Sequence, residues 1–291
     1  MKRTLLVILI ALGSYWGYNK LNGNFSISNI TLKNWPQIAN APVNSPAEIA
    51  AAQKILDQPF HYLSRGRQSF VFESADQKYV LKFVKCQRIN VTDWYEKMPL
   101  PRFLDKKRKA TLYERTDRIT RMFTSFALAK DPLQDATGVL LLHITPERVI
   151  QRNVQVIDKL GFSHTVDLTK VPFALQVKAA KIMPTLKALY KKRDKKALEA
   201  RLDQIIALFV ERAKLGIANP DSSLLEHNNI GFTDTRAIYI DIGTFKRSKH
   251  SMQSLKRDFK VLKPLVRWLK SKDKALAESF SNKINAAINQ I

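Results

Sequence analysis

Three short segments with the spacing of β-strands follow one another closely in the first third of the chain. A turn around Gly66 separates the first two, and the polar sequence Ala75-Asp76-Gln77 separates the second from the third. Alternation of apolar and polar residues indicates half-buried strands, and short turns between strands produce antiparallel neighbours. We therefore expect three adjacent antiparallel strands at Phe60–Leu63, Phe70–Ser74 and Tyr79–Val84.

Helical spacing dominates later in the chain. Apolar side chains recur at helical intervals between residues 109 and 129 and again from Leu198 to Ala213, and the second helix should end at Gly216. The tail from Met252 to Ile291 is also predicted to be helical. Strands followed by a mainly helical half indicate an α+β fold. Further strands are expected at Gly138–Ile144, Val154–Asp158, Thr165–Leu168, Phe173–Val177 and Ala237–Ile240.

The N-terminus has the composition of a targeting segment. Lys2 and Arg3 precede an apolar run from Leu5 to Trp16. A basic flank followed by a short apolar stretch is typical of a signal peptide or a membrane anchor, so residues 1–18 are assigned to either one. The run is shorter than the roughly 20 residues of a spanning helix. We expect a protein that is membrane-associated or exported, with the side of the membrane left open.

A polar stretch separates this segment from the body of the protein. Residues 19–44 are rich in Asn, Ser and Pro and are predicted to form a linker. Ser45, Pro46 and Glu48 then form the pattern of a capping box with proline in the first helical turn. We therefore take Ser45 as the start of the folded body.

The charge balance is strongly basic. The chain has 49 Lys and Arg against 25 Asp and Glu, a formal net charge of +24. Such a surface attracts polyanions, among them nucleic acid, an anionic membrane surface, phosphorylated ligands or an acidic partner. No specific nucleic-acid module is present in the sequence. The single cysteine, Cys86, excludes an internal disulfide and metal sites built from several cysteines.

Several residues have the types needed to hold a nucleotide. Backbone around Gly66 can approach phosphates, and Lys82, on the third strand, can pair with them. Glu114, or Asp117 as the next choice, can hold that lysine from the following helix. Each residue also has a simpler interpretation: an ordinary hairpin glycine, an outward-facing lysine and a charge on a helix surface.

The strongest signal lies beyond Gly216. Asp241-Ile242-Gly243 follows a strand, and Asn228 precedes it at a suitable distance, with Asn229 one residue off. Carboxylate and amide oxygens are the hard ligands that Mg²⁺ prefers. An Asp-x-Gly turn after an edge strand is the alternative interpretation.

In this order, the pieces resemble those of protein kinases. The turn from Leu63 to Val71 is similar to the glycine-rich loop, although only the middle glycine is present, and Asp241-Ile242-Gly243 resembles the kinase Asp-Phe-Gly triplet. The resemblance implies two lobes, with a small antiparallel-sheet N-lobe at 45–178 and a mainly helical C-lobe at 179–291. It also implies ATP and Mg²⁺ as cofactors.

The resemblance further implies roles for individual residues. Gly66 and Lys82 would contact the nucleotide, with Glu114 orienting Lys82. Asn228 and Asp241 would hold the metal. Kinases place a catalytic Asp five residues before the metal-binding Asn. That position holds Ser223 here, and Asp221 lies two residues further upstream.

Three functions follow from these patterns. The first is a divergent kinase-like phosphotransferase that binds ATP and Mg²⁺ and transfers phosphate to an unknown hydroxyl acceptor on a protein or small molecule, with Asp221 as the catalytic residue. The second is a catalytically inactive pseudokinase or scaffold on the same fold. The third is a basic, membrane-attached protein that binds anions.

Overall fold

The chain folds into two compact units. The structure, a computed structural model, describes residues 4, 13–14, 16–87, 90, 98–146, 150, 152–221 and 229–289. Unit 1 comprises Met1–Thr120 and Leu141–Gln176, and unit 2 comprises Arg121–Leu140 and Val177–Ile291. The mixture of an antiparallel-rich sheet with a helical second half confirms the α+β class.

A seven-stranded sheet forms the centre of unit 1. Its strands are β1 Phe60–Arg65, β2 Ser69–Ser74, β3 Tyr79–Val84, β4 Val139–His143, β5 Asn153–Ile157, β6 Ser163–Asp167 and β7 Phe173–Val177. They lie in the order β4-β7-β3-β2-β1-β5-β6. β1, β2 and β3 pair antiparallel, as predicted, whereas β5 joins β1 in parallel and then pairs antiparallel with β6.

Further helices and very short strands lie among the described residues. The helices are α1 Ile27–Ile30, α2 Pro46–Ile55, α3 Arg102–Lys130, α4 Gln134–Thr137, α5 Ile182–Lys191, α6 Lys195–Lys214, α7 Ser251–Lys260, α8 Lys263–Lys270 and α9 Lys274–Asn289. The short strands are β8 Ala180–Lys181, β9 Ile217–Ala218, β10 Ile230–Phe232, β11 Ala237–Tyr239 and β12 Lys246–Arg247. In unit 2, β11, β10 and β8 form one sheet, and β12 pairs with β9.

The predicted capping box is present at the start of α2. The Ser45 side chain accepts a hydrogen bond from the Glu48 backbone, and the Glu48 carboxylate accepts one from the Ser45 backbone. Two N–H groups that lack helical partners are thereby satisfied.

The segment 19–44 is not the linker that its composition predicts. Phe25 is buried at 1% exposure, and its ring meets those of Phe70 and Phe72 at 5.4 and 4.9 Å. Asn44 donates to the Leu142 carbonyl oxygen at 2.7 Å. Although this segment is mostly polar, its side chains pack against or hydrogen-bond to buried groups. The segment is therefore part of the core of unit 1.

The boundary predicted after residue 178 lies close to the division after Gln176. Residues 121–140 differ, since the sequence-based division places them in the first lobe and the structure groups them with unit 2. The difference arises because α3 is long and the boundary between the units falls within it. Its C-terminal turns, which carry the buried residues Ser125 and Phe126, belong to unit 2.

The proposed signal or anchor, residues 1–18, falls mainly outside the described residues. Trp16 and Tyr18, at its end, are described and exposed. Among the described residues, no helix combines the length and the apolar character needed to cross a membrane.

A buried ion pair holds the core of unit 2 together. The Arg212 guanidinium is fully buried on α6 and donates to the Asp258 carboxylate at 2.5 Å, to the Tyr239 hydroxyl at 2.9 Å and to the Ile217 carbonyl at 2.9 Å. Burial raises the pKa of Tyr239 to about 12, so its hydroxyl stays neutral. One arginine thus ties α6, β9, β11 and α7 together next to the candidate site.

Candidate functional site

Two chain segments of unit 2 meet just beyond α6. Gly216 has φ +72° and reverses the chain after the helix, as the sequence predicts. β9 follows at once and pairs with β12, with Ala218 opposite Lys246. This pairing places the segment after β9 beside the one that follows β11. The Thr244 hydroxyl accordingly donates to Asn219 Oδ1 at 2.8 Å.

The small sheet fixes the position of Asn229. β10 pairs with β11, so that Ile230 lies opposite Tyr239. The pairing continues for one more step, because the Asn229 carbonyl oxygen accepts hydrogen bonds from the N–H groups of Ile240 at 2.7 Å and Asp241 at 3.2 Å. Asn229 and Asp241 are therefore adjacent through their backbones.

The side chain of Asn229 reaches the other acid. Its Nδ2 donates to Asp221 Oδ2 at 2.6 Å, and the Asp221 N–H donates to Asn219 Oδ1 at 3.1 Å. Asn229 thus bridges two aspartates, Asp221 through its side chain and Asp241 through its backbone. All three residues are half-buried.

This bridge determines which side-chain oxygen atoms are left without a hydrogen-bond partner among the described residues. Asn229 uses its amide nitrogen on Asp221, which leaves its Oδ1 as an acceptor. Asp241 Oδ1 accepts from the Gly243 N–H at 3.0 Å, which closes the Asp-x-Gly turn and leaves Oδ2. An amide oxygen and a carboxylate oxygen suit Mg²⁺, which takes one or two carboxylates and completes its shell with water and phosphate.

Ser125, which lies on α3, supports the Asp-x-Gly turn through two hydrogen bonds. Its hydroxyl donates to the Ile242 carbonyl at 2.6 Å and accepts from the Phe245 N–H at 2.6 Å. The side chain is 1% exposed, so the turn is held by a buried residue. The sequence analysis missed this role. The sequence feature that could have indicated it is a serine on a helix close to the apolar residues Phe123, Phe126 and Ala127.

Asn219 is the other residue that sequence reasoning passed over. Its Oδ1 accepts two hydrogen bonds, while its buried Nδ2 has no partner among the described residues. A buried donor without an acceptor costs free energy and calls for an explanation. Asn219 fixes the backbone of Asp221 and the side chain of Thr244 at the same time.

In unit 1, Gly66 lies in the turn between β1 and β2. Its N–H donates to the Ser69 carbonyl at 2.9 Å. A Cβ at Gly66 would meet only the Ser69 oxygen, at 4.0 Å, and the residue is not among those with positive φ. The fold itself therefore does not need glycine here, which weakens the interpretation as an ordinary hairpin glycine.

Lys82 lies on β3 opposite Val71 on β2. It is only 6% exposed, between Leu81 and Phe83, which are both fully buried. The alternative interpretation of an outward-facing lysine on a half-buried strand is therefore wrong. Burying an ammonium group is costly, so such a lysine requires polar surroundings.

Glu114 lies exposed on α3, and within the described residues its side chain forms no hydrogen bond or ion pair. Asp117, one turn further, is less exposed. The role of Glu114 as the partner of Lys82 stays a prediction. Asn228 and Ser223 lie outside the described residues, so the assignment of Asn228 to the metal also stays a prediction.

The structure thus brings together Asp221, Asn229 and Asp241 in unit 2, and in unit 1 it places Gly66 in the β1–β2 turn and Lys82 on β3, the strand that pairs with β2. Within the described part of the chain, no group of three or more His, Cys, Asp or Glu side chains forms a self-sufficient metal site. Neither protein-family models nor curated proteins gave a match when compared with this chain.

Proposed function

We propose that this protein is a divergent kinase-like phosphotransferase that binds ATP and Mg²⁺ and transfers the terminal phosphate to a hydroxyl acceptor. The observation that carries the proposal is the bridge that Asn229 makes between Asp221 and Asp241. Kinases use an Asp for the acceptor hydroxyl and an Asn with a second Asp for Mg²⁺. The same residue types are adjacent here.

The roles follow from the geometry. Asp241 Oδ2 and Asn229 Oδ1 would contribute ligands to Mg²⁺, and we keep Asn228 as a further candidate ligand. When bound, the metal would neutralise the charge of the phosphates. Because Asp241 Oδ1 is held by Gly243, the other oxygen is already oriented before metal binds.

Asp221 would orient the acceptor. Its carboxylate would accept the proton of the acceptor hydroxyl as the hydroxyl oxygen forms its bond to the γ-phosphorus and the bond to ADP breaks. The Asn229 amide holds that carboxylate in place, at 2.6 Å. Ser223 occupies the position that kinases give to this Asp, so the role of Asp221 would require a longer loop than theirs.

Unit 1 would supply the phosphate-binding groups. The buried side chain of Lys82 would pair with the phosphates, and the backbone at Gly66, which has no side chain of its own, would approach them closely. Glu114, or Asp117, would hold Lys82. The protein-kinase-like two-lobed arrangement is part of this proposal.

A second function has its own support. The Asp221 carboxylate is already engaged by Asn229, and only one of the three loop glycines is present. A pseudokinase or scaffold that binds nucleotide without transferring phosphate would fit these features.

The test measures ADP formation from ATP by the purified protein with Mg²⁺, together with phosphate incorporation into the protein itself. We expect both in the wild type and a fall of about 10²–10⁴-fold in both for Asp221→Asn, while ATP still raises the melting temperature of that variant. ATP binding without ADP formation in the wild type would favour the pseudokinase. The absence of any ATP-dependent shift, with or without Mg²⁺, would overturn both proposals.

A further inference from the structure

Two basic runs that are far apart in the sequence meet on the surface of unit 2. The first is Lys187–Lys196, at the turn between α5 and α6, and the second is Lys263–Lys274, along α8 and into α9. Tyr190 joins them, because its hydroxyl donates to the Lys272 carbonyl at 3.3 Å and its ring meets that of Trp268 at 6.1 Å. We call this surface the basic patch.

The basic patch is almost free of negative charge. The first run holds six cations and the second holds five, each with a single aspartate. Asp194 caps α6 by accepting from the Ala197 N–H at 3.0 Å, and Asp273 accepts from the Leu276 N–H at 2.9 Å at the start of α9. Both carboxylates thus serve as helix caps.

The cations themselves point into solvent. Within the described residues, none of the eleven is in an ion pair. On α8, Lys263, Arg267 and Lys270 are exposed at helical spacing, while Leu265 and Leu269 on the opposite face are buried. Crowding unpaired cations in this way costs free energy through like-charge repulsion, and a polyanion would relieve it.

The aromatic pair within the patch favours one kind of polyanion. Tyr190 and Trp268 pack at 75° to each other, so they do not form an open stack for nucleic-acid bases. Amphipathic rings surrounded by lysines are instead typical of the membrane interface. The apolar run Leu5–Trp16 offers a second, independent means of membrane attachment, and stable attachment usually takes two.

We propose that the basic patch, formed by the α5–α6 turn together with α8, docks unit 2 on an anionic lipid surface. Each lysine or arginine near such a surface contributes attraction that falls off within a Debye length. Docking is a separate property from phosphotransfer, because none of the candidate site residues belongs to the patch.

The experiment is co-sedimentation of the full chain with phosphatidylcholine vesicles that contain or lack phosphatidylglycerol. Two variants each remove three cations from one run: Lys191→Gln with Lys192→Gln and Arg193→Gln, and Arg267→Gln with Lys270→Gln and Lys272→Gln. The matched control, Lys106→Gln with Lys107→Gln and Arg115→Gln, removes three exposed cations from α3.

We expect each patch variant to lose affinity for the anionic vesicles on the order of a hundredfold, from three cations near the surface. The control should bind like the wild type, and added salt should weaken binding of the wild type. Binding to pure phosphatidylcholine measures the apolar segment and should be the same for all variants. The proposal is overturned if the control loses as much affinity as the patch variants, if the wild type shows no preference for phosphatidylglycerol, or if the wild type binds random-sequence duplex DNA more tightly than it binds the phosphatidylglycerol vesicles.

Discussion

The amide nitrogen of Asn229 lies 2.6 Å from the carboxylate of Asp221, to which it donates a hydrogen bond. The same residue accepts a hydrogen bond from the Asp241 backbone. This contact converts three scattered polar residues into one cluster. The two ends of the Asn229 amide thereby differ. The amide nitrogen holds Asp221, and the amide oxygen has no hydrogen-bond partner among the described residues.

The first prediction concerns Asp221. In the Asp221→Asn variant, ATP turnover should fall by about 10²–10⁴-fold, the usual contribution of a general base, because an amide cannot take up the hydroxyl proton. The dissociation constant for ATP should stay within a few-fold of the wild type. Steady-state kinetics and titration calorimetry separate the two quantities. Equal losses of binding and turnover would show that Asp221 does not have this role.

The second prediction compares two glycines. Gly66→Ala should leave the free energy of unfolding nearly unchanged, because the nearest atom to an added Cβ is 4.0 Å away. Gly231→Ala should destabilise the protein, because its Cβ would lie 2.6 Å from the Ala180 carbonyl oxygen. Urea unfolding of the two variants measures the contrast.

ATP binding provides a separate result for Gly66. Gly66→Ala should weaken ATP binding if backbone at this turn approaches the phosphates. A variant that binds ATP as well as the wild type would remove Gly66 from the nucleotide site.

The third prediction concerns the buried Arg212–Asp258 pair. Arg212→Met should cost about 3–5 kcal/mol, since it removes the buried cation that donates to the buried Asp258 carboxylate at 2.5 Å. Lys283→Met, which breaks the exposed pair with Asp203, should cost no more than about 1 kcal/mol. Urea denaturation gives both values, and similar costs for the two variants would contradict the assigned role of Arg212.

The fourth prediction is a pH dependence centred on Asp158. Burial by itself raises the pKa of this carboxyl group, but hydrogen bonds from His164, the Phe162 and Leu160 N–H groups and Asn22 outweigh burial and lower it. A lowered folded-state pKa means that this stabilisation is present above the unfolded-state pKa of about 3.9 and is lost as pH falls through the folded-state value.

Asp158→Asn should therefore be less stable than the wild type at pH 7. The difference between the two should shrink as the pH falls below about 4, where the carboxyl group of the unfolded state becomes protonated, and should be lost once the pH falls through the lowered folded-state pKa. Chemical denaturation at a series of pH values measures the difference. A gap that stays constant with pH would show that the charge of Asp158 does not contribute.

Local patterns predicted the fold class and its main elements. The capping box at Ser45 and the end of a helix at Gly216 are set by a few adjacent residues, so the sequence alone reveals them. The burial of Phe25 was not predictable from composition, because its neighbours are polar while its partners, Phe70 and Phe72, are distant in sequence.

The candidate site was predictable only in part. Asp221 and Asp241 were identified by residue type and order, but the bridging role of Asn229 depends on the pairing of β10 with β11. Ser125 acts from a helix more than a hundred residues before the turn that it supports. Contacts of this kind depend on tertiary packing, which periodicity along the chain does not report.

The proposed function requires Asp241 and Asn229 to bind Mg²⁺ together with ATP. Titration calorimetry of ATP into the full chain, with Mg²⁺ and with EDTA, measures this binding. Asp234→Ala is the matched control, since it removes an exposed aspartate of the same unit. We predict that Mg²⁺ strengthens ATP binding in the wild type and in Asp234→Ala, and that this gain disappears in Asp241→Ala. An identical response to Mg²⁺ in Asp241→Ala and the wild type would contradict the account.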